Sequence, residues 1–230
     1  MKLKLFLSLF FFLLVITSCQ QTFTLPPTAH PNSSQWDDLF LTDLSNAVCL
    51  DSIWTFENGI LTASEDQNIW TKKEYDNFIL DLEFKTDVGT NSGVVVYCSN
   101  IDDWIPNSVE IQIADDYSEH WAGMPGTWQC GAGFGHIAAT ESRVKQPGEW
   151  NRYTITCMDS MIYVMLNDGL VNTINMKLWK SATTNPDGSE IPSWLSKPWA
   201  ELPTRGHIGF QGKHAGAPIY FRNLKVKVLD

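Results

Sequence analysis

Residues 78 to 84, FILDLEF, place Phe78, Leu80, Leu82 and Phe84 on one side of an extended chain and Asp81 and Glu83 on the other. That two-residue period recurs along the chain, and it fits a strand covered on one face. In SVEIQIADD, residues 108 to 116, Val109, Ile111 and Ile113 alternate with Glu110, Gln112 and Ala114. SGVVVYC, residues 92 to 98, is more continuously apolar and predicts a central strand covered on both faces. YTITC and MIYVML are joined at MDS, NDG at 167 to 169 marks a second turn, and HIGFQ and IYFRNLKVKVL follow. Amphipathic helices of ordinary length are hard to find; MKLWKSA offers one short turn. Many short strands separated by Gly, Asn, Asp and Pro predict an all-β sandwich of antiparallel sheets.

Two long segments interrupt the pattern, residues 115–143 and 180–205, both rich in Trp, Gly and Pro. Loops of that length in a compact domain usually cover a site. The chain holds 10 Trp and 12 Phe, enough to fill a core and still line a sugar-binding groove. Its formal net charge of -10 argues against a nucleic-acid partner, since phosphate binding needs clustered cations.

The first residues read as a targeting signal. MKLKLFLSLFFFLLVITSCQQ has Lys2 and Lys4, an apolar run, then small polar residues before Cys19. The run is short and wrongly flanked for a membrane span. VITSC resembles the lipobox of bacterial lipoproteins, with Ser18 in place of the usual Gly or Ala. The expected layout is a signal peptide over 1–18, a lipidated Cys19 with a Pro/Ser/Thr-rich flexible linker over 19–35, and a folded domain over 36–230. Export would then place an outer-membrane-anchored lipoprotein on the periplasmic or the surface face. Cys49, Cys98, Cys130 and Cys157 remain, and an exported protein is free to pair them in any of three ways. No Cys/His spacing of a structural zinc site is present.

Three polar groups stand out. Glu110 and Gln112 share a strand face, and a bulge after Gln112 would bring Asp115 round to join them over a ligand groove. In GAGFGHIAA, His136 follows a run of glycines and could act as a base near neutral pH. In RGHIGFQGKHAGAPIYFRN, residues 205 to 223, His207, Gln211, Lys213, His214 and Arg222 crowd donors at one end of a sheet. Laminarinase-type jelly-roll glycosidases carry E-x-D-x-x-E on such a strand, whereas this chain has E-x-Q-x-x-D, which lacks the ionisable middle residue.

The ordered set NSG, EIQIADD, GEWN and IGFQGKH…FRN resembles the 3-keto-disaccharide hydrolase family, over about Leu39 to Leu229. The resemblance implies a concanavalin-like jelly roll. It also implies cleavage of 3-keto-glycosides by abstraction of the C2 proton, elimination of the C1 substituent and hydration, a net hydrolysis. Carried residue by residue, it implies His136 as base, with Glu110 orienting it or acting as acid. Gln112, Asp115, Gln211 and His214 would bind sugar hydroxyls, and Trp128 and Arg222 join the substrate-binding set. It leaves room for one divalent cation, held by Glu110, Asp115 and a His. Cys98 is a departure, standing where relatives carry Arg. Two alternatives stay open: an ordinary jelly-roll glycoside hydrolase acting on unoxidised glucans, and a non-catalytic carbohydrate-binding lipoprotein.

Overall fold

The computed structural model describes residues 25–50 and 52–229. Its strands are β1 (Asp37–Asp38), β2 (Ala47–Val48), β3 (Trp54–Glu57), β4 (Ile60–Ala63), β5 (Ile69–Tyr75), β6 (Phe78–Thr86), β7 (Asn91–Cys98), β8 (Val109–Ala114), β9 (Trp150–Met158), β10 (Met161–Leu166), β11 (Gly169–Asn175), β12 (Gly206–Phe210) and β13 (Ile219–Val228). One four-residue helix, α1 (Glu119–Ala122), follows β8. The turn expected in MKLWKSA is a 3-10 turn at Met176–Leu178.

The strands form two antiparallel sheets, as the alternation predicts. The front sheet runs β2-β5-β12-β7-β8, and the back sheet runs β11-β10-β9-β6-β13-β4-β3 with β1 beside β13. The inward sets meet in one core: Leu80, Leu82 and Phe84 of β6, Tyr153 and Ile155 of β9, Val94 and Val96 of β7, Val109, Ile111 and Ile113 of β8. Phe210 and Phe221 stack across the two sheets, centroids 4.6 Å apart. Full burial of each such side chain contributes about 1.5–3 kcal/mol.

The alternation breaks once where it matters. Along β7, Ser92, Val94 and Val96 point inward. Tyr97 then adopts φ 56° and also turns into the core, where its hydroxyl donates to the Asp159 carbonyl at 3.0 Å. A residue in this left-handed conformation shifts the phase of the strand. Cys98 consequently faces outward with Val95 and packs against Trp70 and Trp104. The pairing with β12 skips in step, from His207↔Cys98 to Gly209↔Val95. Burial pushes the Cys98 and Cys130 thiols up to about 12, so both are inert at neutral pH.

The boundary expected at residue 36 moves toward the N-terminus. His30 contacts the Thr154 hydroxyl at 2.7 Å through Nδ1 and the Asn167 carbonyl through Nε2. Ser33 donates to Asp81, and Arg152 donates to the Pro31 carbonyl at 2.7 Å. Asp81 is buried and also holds Arg152 in a two-pronged ion pair and accepts from Thr154. Residues 30–34 are therefore a strap across the outer face of the back sheet, because they complete the hydrogen bonding of a buried carboxylate. Residues 1–18 and Cys19 lie outside the described residues. Among the described residues no helix is long and apolar enough to cross a membrane.

Candidate active-site groove

The outer face of the front sheet carries a groove of about 400 Å³, within the range of sugar-sized sites. Strand parity supplies its floor: Glu110 and Gln112 from β8, Asn91 from β7, and Gln211 just past β12. The two long loops supply walls, as expected from their length. Residues 115–143 contribute His120, Trp121, Trp128 and Phe134, and residues 180–205 contribute Trp194. Trp104 and Ile105 enter from the β7–β8 connection, and His214 and Ala215 from the turn before β13. A larger cavity of about 580 Å³ lies beneath the strap on the back sheet, but its buried polar groups already satisfy one another.

Glu110 is partly buried at the floor, leaning over β7. A Cβ built on Gly93 would sit 2.1 Å from Glu110 Oε1, so only glycine leaves room for this carboxyl. Among the described residues the carboxyl has no hydrogen-bond partner, and burial pushes its pKa up to about 8. The cause is desolvation with no compensating cation. Among the described residues it is the one acidic residue lining this groove.

Gln112 is a brace. Its Nε2 donates to Asn91 Oδ1 at 3.1 Å and to the Trp128 carbonyl at 3.2 Å. Its backbone bonds Ala132 and Gly131, so the 115–143 loop doubles back along β8. Phe134 N donates to the Glu110 carbonyl at 2.9 Å, which seats the Phe134 ring in the groove wall. Gln211 and His214 bring their side chains to the opposite side, with His214 Nδ1 on Asp66 Oδ2 at 2.8 Å.

Three residues expected in the site are elsewhere. Asp115 is 2% exposed, and its carboxylate accepts from Gly89 N at 2.9 Å and Tyr117 N at 3.1 Å. β8 ends at Ala114 without the bulge that would have turned Asp115 outward, because the side chain closes an Asx turn instead. His136 is buried and does not line the groove. Its Nδ1 donates to the Phe134 carbonyl at 2.8 Å, and its ring stacks on Trp199 at 3.8 Å. Burial lowers its pKa to about 4, and the described residues leave its Nε2 without a partner. The glycines around it serve packing. A Cβ on Gly135, which has φ 69°, would meet Leu195 at 2.4 Å, and one on Gly133 would meet Trp199 at 2.8 Å. Arg222 lies on the outer face of the back sheet, paired with Glu83 at 2.7 Å and stacked over Trp150.

The groove thus unites Glu110, Gln112, Gln211, His214 and Trp128 and excludes Asp115, His136 and Arg222. Since Asp115 is committed to backbone amides on the far side of β8, it and Glu110 do not form a cation ligand set. The described residues hold no cluster of three or more His, Cys, Asp or Glu side chains that could bind a metal. Sequence reasoning missed His120, Trp104 and Trp194. Their only signal was a loop location, shared with many residues that do not reach the groove.

A two-sheet antiparallel sandwich with an aromatic groove on one outer face defines the chain as a concanavalin-like jelly roll. More narrowly, the chain belongs to the family described as the 3-keto-alpha-glucoside-1,2-lyase-like domain, whose model matches residues 31–227. It is similar to a 3-keto-disaccharide hydrolase of Bacteroides thetaiotaomicron, 25% identical over 210 residues, covering 78% of this chain and 71% of that protein. A solved structure of a provisionally named glycosyl hydrolase from Parabacteroides distasonis is 55% identical with a TM-score of 0.83, covering 85% of this chain and all of that one. A second from the same organism, 22% identical with a TM-score of 0.66, covers 81% of this chain and 90% of that one and shares the fold.

Proposed function

We propose that the chain cleaves glycosides whose sugar carries a ketone at C3, with Glu110 as the group that moves the proton. The observation that carries this reading is that the described residues place a single carboxyl in the groove, desolvated and without a partner among them. Ordinary retaining or inverting glycosidases need two carboxyl groups across the bond, and among the described residues no second acid lines this groove. Elimination needs only one proton-transfer group, donors for the oxyanion and a dry wall.

The ketone acidifies the C2 hydrogen. Ionised Glu110 takes that proton, the C2–H electrons form a C2=C3 bond, and the ketone oxygen takes the negative charge. Re-forming the ketone moves the double bond to C1=C2 and expels the C1 oxygen, which takes the proton from Glu110. Water adding across C1=C2 returns a hydroxyl to C1 and a hydrogen to C2. Gln211 and His214 face the cavity as donors for the oxyanion. A pKa near 8 makes Glu110 a stronger base than an ordinary carboxylate, and the protonated form becomes the acid for the departing oxygen.

The test is turnover of methyl 3-ketoglucoside against methyl glucoside, with deuterium at C2. The expected result is cleavage of the keto sugar alone, with deuterium lost to solvent or a slowed step. Equal cleavage of both sugars, or full retention of deuterium without any isotope effect, would overturn the mechanism. Export and lipid attachment at Cys19 are proposed alongside it, supported by the residue pattern over 1–19.

A further inference from the structure

Trp194 is half exposed, at 50%, although its loop is firmly held. Leu195 beside it packs onto Gly135, Lys197 donates to Asn107 Oδ1, and Asn185 Nδ2 donates to the Gly135 carbonyl at 3.3 Å. The exposed ring therefore stands on a braced support. It meets Trp128 edge-on, centroids 6.0 Å apart, and Trp128 meets Phe134 at 5.2 Å.

Trp128 and Trp194 also line a second depression, about 710 Å³, which continues the groove away from Glu110. Its rim offers Asp187, Ser189 and Glu190, all exposed. At the other end of the groove Gln211 and His214 line both the central cavity and a depression shared with Asp66, Asn68, Trp70 and Trp104. One end is thus an aromatic wall with an acceptor-rich rim, and the other sets amide and imidazole donors beside Trp70, Trp104 and the Asp66 carboxylate.

The two ends suit the two halves of a glycoside. In the reaction proposed above, on which this inference rests, negative charge develops on the ketone side of the sugar and belongs beside donors. The C1 substituent then points at the aromatic end. We infer that the Trp128–Trp194 wall is the subsite for the leaving group, and that it selects a ring at C1 over an alkyl group. Either an aromatic aglycone or the apolar face of a second sugar presents the flat surface that an indole ring stacks on. The rim acceptors suit the hydroxyls of a sugar.

The experiment compares wild type, Trp194→Ala and Trp194→Phe on 3-ketoglucosides bearing methyl, phenyl or glucosyl at C1. Reading each variant against wild type on the same substrate cancels differences in leaving-group acidity. Trp194→Ala is expected to raise KM for the phenyl and glucosyl substrates roughly three- to tenfold, the scale of one ring-stacking contact. KM for the methyl substrate and kcat for all three stay near wild type, and Trp194→Phe retains most of the selectivity. A loss confined to the phenyl or the glucosyl substrate still supports the subsite and names its occupant. An equal rise for methyl, or no rise for any substrate, overturns it. If no keto sugar is turned over, the reaction fails independently, and the subsite is read from calorimetric binding of methyl, phenyl and glucosyl glucosides. There, ring selectivity lost in Trp194→Ala supports it, and equal affinity of wild type for all three overturns it.

Discussion

The Glu110 carboxyl occupies the space above Gly93 on the neighbouring strand, where an added Cβ would lie 2.1 Å from Oε1. The obstructed atom is the free end of a side chain, so Gly93→Ala should push the carboxyl aside rather than disrupt the sheet. The expected outcome is a loss of kcat of roughly 10²-fold or more, the scale of a displaced proton-transfer group, with a small change in Tm. Retained activity would show that the carboxyl position is not required.

Glu110→Gln should lower kcat by roughly 10²–10⁴-fold. Its effect on stability runs the other way. An unfolded glutamate titrates near pH 4.3, whereas burial holds the folded one up at about 8. Between those values the folded chain binds a proton that the unfolded chain has lost, so stability falls as pH rises through the window. The amide has no such titration. The Tm advantage of Glu110→Gln over wild type should therefore grow from about pH 4 to about pH 8 and then level off. A difference independent of pH would mean that the carboxyl is solvated.

His136→Ala should act mainly on stability. It removes the ring stacked on Trp199 and the donor to the Phe134 carbonyl. Loss of a packed ring and a buried hydrogen bond costs about 1–3 kcal/mol, seen as a lower urea midpoint. Turnover by the folded fraction should fall far less than in Glu110→Gln. A larger loss of kcat than in Glu110→Gln, at unchanged stability, would restore the histidine as the base.

A chain beginning at Trp36 should melt below one beginning at His30, by roughly 2–8 °C for a domain of this size. The shorter chain leaves Asp81 and Arg152 without Ser33 and the Pro31 carbonyl. Equal melting temperatures would make the strap dispensable.

The proposed attachment site gives a direct readout in cells. Cys19→Ala should release the protein from the membrane fraction and abolish incorporation of labelled fatty acid. A variant that fractionates and labels like wild type would remove Cys19 as the anchor.

The sandwich was legible because period-two alternation is written directly into FILDLEF and SVEIQIADD, and the apolar set of each strand faces the core, although most residues on the opposite faces of β6 and β8 are covered as well. Glu110 was found for the same reason. The errors came where side chains stop obeying the period. Asp115 read as part of the strand face but closes a turn, and Arg222 belongs to the other sheet, a fact that depends on long-range pairing between β13 and β6. His136 looked available because it follows glycines, yet those glycines are there to let two loops nest. Trp194 lay too far along the chain for any local pattern to connect it with Glu110.

The strap has a consequence for orientation. It is clasped to the back sheet, while the groove opens from the front sheet on the opposite side of the sandwich. A tether leading from residue 25 toward a lipid surface would pull on the back of the molecule through Pro31 and Ser33. The groove would then look outward, toward arriving glycosides, and mechanical load on the tether would be borne by Asp81 and Arg152 rather than by the front sheet.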